Sequence, residues 1–222
     1  MRRIGRITLV VAALAGIGLG VGMLVGDWRI DSRIREAEVA LDADDADRAQ
    51  VLLLEVAARR PESGQVQFLA ARAARMSGDI AAARKHLANA KRLGWVPEAI
   101  DLETGLIQAQ TDSLSVEYDY HLRKCLNEDH PDSKYIAQVL VYRDFASFRL
   151  SDAVRATDIW TSRAPNSVKA WSLRGEVCER ARLRKQAIDA QRKAHELEPE
   201  NPAHVQALAR LLLIAKVPPD EV

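Results

Sequence analysis

Only 5% of the residues are aromatic, two are cysteine, and the charges along 222 residues balance to a formal net of +1. Each shortage removes a class of protein. Hardly any alternating β-branched runs are present, so no stretch is a good candidate strand and the chain is expected to be all-α. Cys125 and Cys178 fall in different helical segments, too far apart for a bond, and are read as free thiols that decide no compartment. A near-neutral balance gives no bulk attraction to polyanions and argues against nucleic acid as a partner. No Walker loop, HExxH or G-x-S-x-G occurs, and the five histidines are scattered along the chain in no catalytic motif. The chain is therefore not expected to be an enzyme, and neither a cofactor nor a metal is expected.

Three local patterns imitate chemistry without completing it. His121 and Cys125 stand one helical turn apart, but a structural zinc site wants four ligands and no second pair is suitably spaced. The run Asp42 to Asp47, DADDAD, resembles a calcium loop, yet Ala46 stands where an oxygen donor is needed and Asp47 where glycine is needed. It is read instead as a solvated turn that caps a helix. In GIGLGVG, Gly16 to Gly22, valine replaces the third glycine of a dinucleotide fingerprint and no strand precedes it.

What the chain has in quantity is helical periodicity punctuated by proline. The stretch from Val168 to Pro202 reads as two amphipathic helices joined by a short basic turn. In it Trp171, Gly175, Ala187 and Pro199 stand where a tetratricopeptide (TPR) repeat has its tryptophan, glycine, second-helix alanine and closing proline. Small residues where helices cross let their axes approach, and proline stops the second helix. Arg174, Cys178 and Gln191 depart from the pattern, where leucine, tyrosine and phenylalanine are usual. Steps of about 34 residues lead from Pro199 to Pro165 and Pro131, from Ala187 to Ala153, and from Ala83 to Ala49. The segment thus resembles a TPR repeat, and the resemblance covers nearly everything after the N-terminal segment.

That resemblance implies a right-handed α-solenoid of about five helix-turn-helix hairpins plus one extra helix over residues 27–217, with a tail at 218–222. The first hairpin would use Ile34, Ala37 and Leu41 against Ala49, Leu53 and Val56. The second would set Phe68, Ala71 and Ala74 against Ala83, Leu87 and Ala90 around Gly78. The third, Pro97 to Asn127, is degenerate: Ile107 and Asp119 hold its small positions and the phase slips by two residues. The fourth, Lys134 to Ala164, puts Val141 and Trp160 at small positions, so its helices are expected to stand further apart. After Pro202 the last helix is apolar nearly all round, and Leu213 with Ile214 would form an association edge, the chain stopping where a sixth partner helix would begin.

A basic segment, residues 1–6 with Arg2, Arg3 and Arg6, precedes the uncharged stretch 7–26, which at roughly 1.5 Å per residue matches a hydrocarbon core of about 30 Å. It reads as a transmembrane helix or a signal peptide, and the absence of small residues at both cleavage positions before Asp27 favours a retained anchor. The arginines hold the N-terminus inside, placing the repeats on the periplasmic or outer side of a cell membrane. Gly18, Gly22 and Gly26 have the spacing that lets spanning helices touch, so self-association through them is one expectation.

The resemblance also implies a function. First helices of TPR hairpins line a concave face that takes protein or peptide partners, which here selects Phe68, Arg72 and Arg75, then Gln108, then Gln138, Tyr142 and Phe145, then Ser172, Glu176 and Glu179. The groove would run from basic through aromatic to acidic. The expected role is a membrane-anchored scaffold that recruits a protein partner; the rival reading is a non-catalytic arm of a longer enzyme or enzyme complex.

Overall fold

The computed structural model describes residues 28–111, 115–128 and 130–215, and of 214 and 215 the backbone alone. The stretch 7–26, with Gly18, Gly22 and Gly26, and the tail 218–222 lie outside these residues. Among the described residues every element is a helix, and no helix is long and apolar enough to cross a membrane.

The helices are α1 (28–42), α2 (Ala46–Arg59), α3 (Gly64–Ser77), α4 (Ile80–Arg92), α5 (Pro97–Gln110), α6 (Val116–Asn127), α7 (Ser133–Ala146), α8 (Leu150–Arg163), α9 (Val168–Arg180), α10 (Arg184–Leu197) and α11 (Pro202–Ala215). Short polar side chains start many of them: Asp45, Ser63, Asp79, Ser115 and Ser167 each accept a hydrogen bond from the backbone N–H three residues on, satisfying a donor the helix leaves free. Pro97 opens α5, where its missing N–H costs nothing.

The turns inside the hairpins carry the repeat in their backbone. Asp44 and Gly78 have positive φ, as do Phe148 and Arg182, and each pair is 34 residues apart. At Asp44, Phe148 and Arg182 the following N–H donates back to the carbonyl five residues earlier, to Ala40, Asp144 and Cys178 respectively. This is the left-handed closure that ends a helix and reverses the chain, and it favours glycine. Only one of those four turns supplies it.

Each hairpin then buries its face on the next. Ile34, Ala37 and Leu41 of α1, Ala49, Leu53 and Val56 of α2, and Val66, Leu69 and Ala73 of α3 form one core. Phe68, Ala71 and Ala74 of α3, Ala83, Leu87 and Ala90 of α4, and Ile100 and Ile107 of α5 form a second. The largest runs from Leu102 and Leu106 of α5 through Leu122, Ile136, Leu140 and Trp160 to Ala170 and Val177 of α9. Met76 packs against both the first and the third of these cores.

Close crossings occur where the small residues sit. A methyl group on Gly175 would meet Gln191 of α10, whose amide donates to the Ser172 carbonyl at 3.2 Å. Glutamine thus fills the place of the missing phenylalanine and ties α9 to α10. In the third hairpin the close residue is Gly105, not Ile107: a methyl there would lie 2.9 Å from the Tyr118 ring, while Ile107 packs toward α3 and α4. The two-residue phase slip moved the crossing upstream. The fourth hairpin corrects another expectation, since α7 and α8 pack as closely as the clean pairs α3/α4 and α9/α10, whereas α5 and α6 pack more loosely. Trp160 is fully buried without wedging the pair apart, because its indole reaches beyond the hairpin to the turn after α1.

Candidate functional site

The first helices of the second, third and fourth hairpins are α3, α5 and α7, and their inner faces meet instead of lining an open channel. Arg72 and Arg75, one turn apart on α3, both reach Glu103 of α5, Arg72 Nε at 3.2 Å and Arg75 Nε in a shorter contact. Arg72 also pairs with Asp132 at 2.9 Å, just before α7, and its guanidinium lies over the Phe68 and Tyr135 rings at 4.8 and 4.2 Å. All four partners Arg72, Arg75, Glu103 and Tyr135 are buried. Burial opposes both charges, but the neighbouring carboxylates hold the Arg72 pKa above its ordinary value, and the Arg75 and Arg72 cations hold Glu103 below the usual carboxylate range.

The expected basic end of the groove is therefore corrected. Arg72 and Arg75 are internal ions, and Phe68 and Gln138 are buried with them. Arginine at a first-helix position has the same spacing whether its head group faces water or a carboxylate on the next hairpin, so the sequence held no sign of the difference.

A second inward contact lies beside the first. Lys134, at the start of α7, donates to the carbonyls of Leu41 and Asp42, each at 2.9 Å, and faces the carboxylates of Asp42 at 3.5 Å and Asp44 at 3.8 Å. The Tyr135 hydroxyl donates to Asp42 Oδ1 at 3.2 Å, and the Trp160 indole N–H donates to Asp44 Oδ2 at 3.3 Å. Burial lowers the Lys134 pKa against the pull of Asp44 and Asp42, and burial raises that of Tyr135. The acidic turn is solvated and caps α2 as expected, with Asp42, Asp45 and Asp47 exposed, except at Asp44, whose carboxylate is buried across the array. Lys134, Tyr135 and Trp160 were not foreseen as a set; the one signal in the sequence was a tryptophan where packing wanted something small.

A third polar knot secures the degenerate hairpin. Arg123 of α6 binds Asp119 at 3.0 Å and the buried Asp144 of α7 at 2.7 Å, and Arg149 joins Asp144 at 2.7 Å. Its hydrogen bonds to Asp144 and Asp119 hold Arg123 above its ordinary pKa. Charge pairing there adds to the apolar contacts that Leu122 and Leu126 make in the large core.

The remaining expected residues, Gln108 apart, lie on the fourth and fifth hairpins and on α11. Tyr142 and Phe145 on α7 and Phe148 in the next turn follow at intervals of three and form one ridge. Tyr142 is exposed, Phe145 half-buried and Phe148 71% exposed. Arg180 of α9 lies over Phe145 and Phe148 at 5.1 and 5.3 Å, and Lys169 over Tyr142 at 5.9 Å. Beside the ridge Leu150, Val154, Arg180, Arg182 and Leu183 line an open hollow of about 540 Å³. Glu176 is exposed, Ser172 is half-buried, and Glu179 pairs with Arg210 of α11 at 2.7 Å. Gln108, on α5, is half-buried and away from this ridge, beside a hollow it shares with Arg84, Leu87 and Ile100. On α11, Leu211 is buried in a cluster with Cys178 and Ala187, while Leu213 is 80% exposed; the side chain of Ile214 lies outside the described residues. His121 and Cys125 are 3.6 Å apart, and among the described residues no group of three possible metal ligands gathers.

Comparison with known proteins agrees with this architecture. No protein-family model matches the chain, and no curated protein sequence does. Among solved structures, a monomeric mutant of IFIT1 with Gppp-AAAA is similar at a TM-score of 0.60 and 15% identity, over 84% of this chain and 47% of that one. The Cut9-Hcn1 hetero-tetramer of the APC/C is similar at 0.58 and 15% identity, over 85% and 37%. YrrB, described as a TPR protein with an unusual peptide-binding site, matches at 0.45 and 15% identity, over 79% and 89%. The chain spans less than half the length of the first two. At these identities the likeness concerns the fold alone, an all-helical array of stacked hairpins.

Proposed function

We propose that this chain is a non-catalytic, membrane-anchored scaffold that holds a partner protein near the bilayer through a surface on its fourth and fifth hairpins. The observation that carries the reading is the ridge of Tyr142, Phe145 and Phe148 beneath Lys169 and Arg180. A phenylalanine left 71% in water, on left-handed backbone that a bulky side chain rarely adopts, has no packing reason to be there. Aromatic side chains beside cations suit a protein segment that brings apolar groups to the rings and carboxylates to Lys169 and Arg180. The fold supports the same reading, because a hairpin array is stabilised by its neighbours and leaves long faces free for binding. Of the residues expected to bind, Tyr142, Phe145 and Glu176 belong to this surface.

The anchor rests on residues 7–26 and the arginines before them, with the repeats on the outer, periplasmic side by the distribution of positive charge. Trp28, 66% exposed at the start of α1, suits the interface between bilayer and water.

The test uses the full chain in lipid discs, cross-linked to its bound protein and compared with Phe148→Gly and Tyr142→Ala. A partner held by the wild type and reduced at least tenfold by both variants supports the ridge; an undiminished yield with both would sink it. Carbonate washing should leave the chain in membranes and release a version lacking 7–26. Protease added outside cells stripped to the inner membrane should digest the repeats.

A further inference from the structure

At the turn edge of the fourth and fifth hairpins the sequence gives up stability twice in the same way. The second helices of the first three hairpins start on a capping side chain, Asp45, Asp79 and Ser115. Those of the fourth and fifth start on Arg149 and Leu183, and neither side chain caps its helix. The residues just before, Phe148 and Arg182, hold the left-handed backbone that Gly78 takes without strain. A cap and a glycine are thus both forgone at two successive turns. What stands there instead is apolar or cationic.

The turn from Arg180 to Lys185 carries four cations in six residues: Arg180, Arg182, Arg184 and Lys185. All four are exposed, and none has a carboxylate partner among the described residues. The nearby acids are committed elsewhere. Asp144 and Asp152 face Arg123, Glu179 pairs with Arg210, and Glu176 lies back toward Tyr142. Between this turn and the start of α8 is the open hollow of about 540 Å³, whose apolar walls are Leu150, Val154, Ala181 and Leu183. Arg180, which lines it, also lies over the Phe148 ring at 5.3 Å. Shape and charge together decide what fits: an apolar recess takes an inserted side chain, which a flat bilayer surface does not offer, and the cations around it take carboxylates.

We propose that this edge binds an extended acidic segment of a partner protein, with one leucine or phenylalanine inserted between Leu150, Val154 and Leu183 and carboxylates on either side of it meeting Arg180, Arg182 and Arg184. Such docking rests on the reading of this face as a binding surface and adds the chemistry of its partner. Phe148 and Arg180 serve both the ridge and the hollow, whereas Ser151, Arg182 and Arg184 serve the hollow alone.

The probe is a fluorescein-labelled peptide, GSDDELDDSG, added to the full chain in detergent and followed by anisotropy. Two variants are compared with wild type. Ser151→Trp fills the hollow from an exposed position. Arg182→Gly with Arg184→Gln removes two cations while giving the turn its preferred glycine, so its thermal midpoint should not fall. Each variant is expected to weaken binding at least tenfold, as should changing the peptide's leucine to serine or its acids to their amides. If either variant unfolds by circular dichroism, the other variant and the two altered peptides decide. No binding by wild type, binding unchanged in both folded variants, or a serine peptide as tight as the parent would each overturn the proposal. A uridine decamer or anionic vesicles bound as tightly as the peptide would assign the cations to polyanions in general and overturn it too. A wild type that ignores the peptide, while Tyr142→Ala still loses the cross-linked protein, overturns the hollow and leaves the ridge. Peptide binding with undiminished cross-linking in Tyr142→Ala and Phe148→Gly supports the hollow and removes the ridge.

Discussion

Glu103 sits between two guanidinium groups with no exposure to solvent, and an ion held in that way depends on its partners keeping their charge. Removing its charge by Glu103→Gln leaves Arg72 and Arg75 incompletely compensated in the interior and is expected to cost about 3–5 kcal/mol in urea unfolding. The apolar pair Arg75→Met with Glu103→Leu should cost less than Glu103→Gln alone, since Arg72 keeps Asp132 and no new orphan charge is made. A double variant as damaging as the single would show that packing, not charge, governs the site. The pH dependence has a definite sign. Glu103 is held below its unfolded value of 4.5, so its contribution is complete above that value and is lost as pH falls through the lower folded pKa. Glu103→Gln should accordingly flatten the acid limb of the stability curve while leaving the neutral-to-alkaline region parallel to wild type. Phe148 makes the opposite case. Left-handed backbone costs a residue with a side chain ~1–2 kcal/mol, and glycine gives back ~0.5–1 kcal/mol through its unfolded freedom. Phe148→Gly is therefore expected to be neutral to slightly stabilising while losing the partner.

Crossings between helices decide the elements. The approach of α9 and α10 at Gly175 and Gln191 is so close that Gly175→Ala must push the glutamine off the Ser172 carbonyl, an overpacking cost of roughly 1–3 kcal/mol. Gln191→Ala in the same chain removes the obstacle, and the double variant should be more stable than the sum of the singles implies; strict additivity in the cycle would contradict the close contact. The third hairpin has the looser packing and the Arg123 knot in place of apolar depth. Its α6 amides are expected to exchange before those of α3 or α7, and Arg123→Leu should speed α6 selectively.

At the scale of the molecule, the Lys134 contact turns a linear stack into one whose first and fourth hairpins hold each other. A solenoid with nearest-neighbour contacts alone unfolds from its ends. This one should lose its first hairpin together with α7, so that exchange rates in 28–59 and in α7 rise in parallel with urea. Lys134→Met is expected to separate them, with the first hairpin opening at lower denaturant; unchanged coupling in that variant would mean that apolar contacts alone join the ends.

What the sequence determined by itself is what repeats or acts locally: alanine and proline at 34-residue intervals, Ser and Asp at helix starts, and the apolar faces of α1 to α4. Those signals are legible because a hairpin and its next neighbour lie within some 70 residues and their small residues must match. Even the displaced crossing at Gly105 was announced by a two-residue slip, although Ile107 was the residue selected. The tertiary structure alone decided the rest. Small rotations between successive hairpins add up over four of them, and their sum brings Asp44 to Lys134 and Trp160 and Arg72 to Asp132. No residue's own spacing records that sum. For that reason Arg72, Arg75, Phe68 and Gln138, placed by period on a groove, lie in the interior, and Asp44 of an otherwise solvated acidic turn is buried against Lys134 and Trp160.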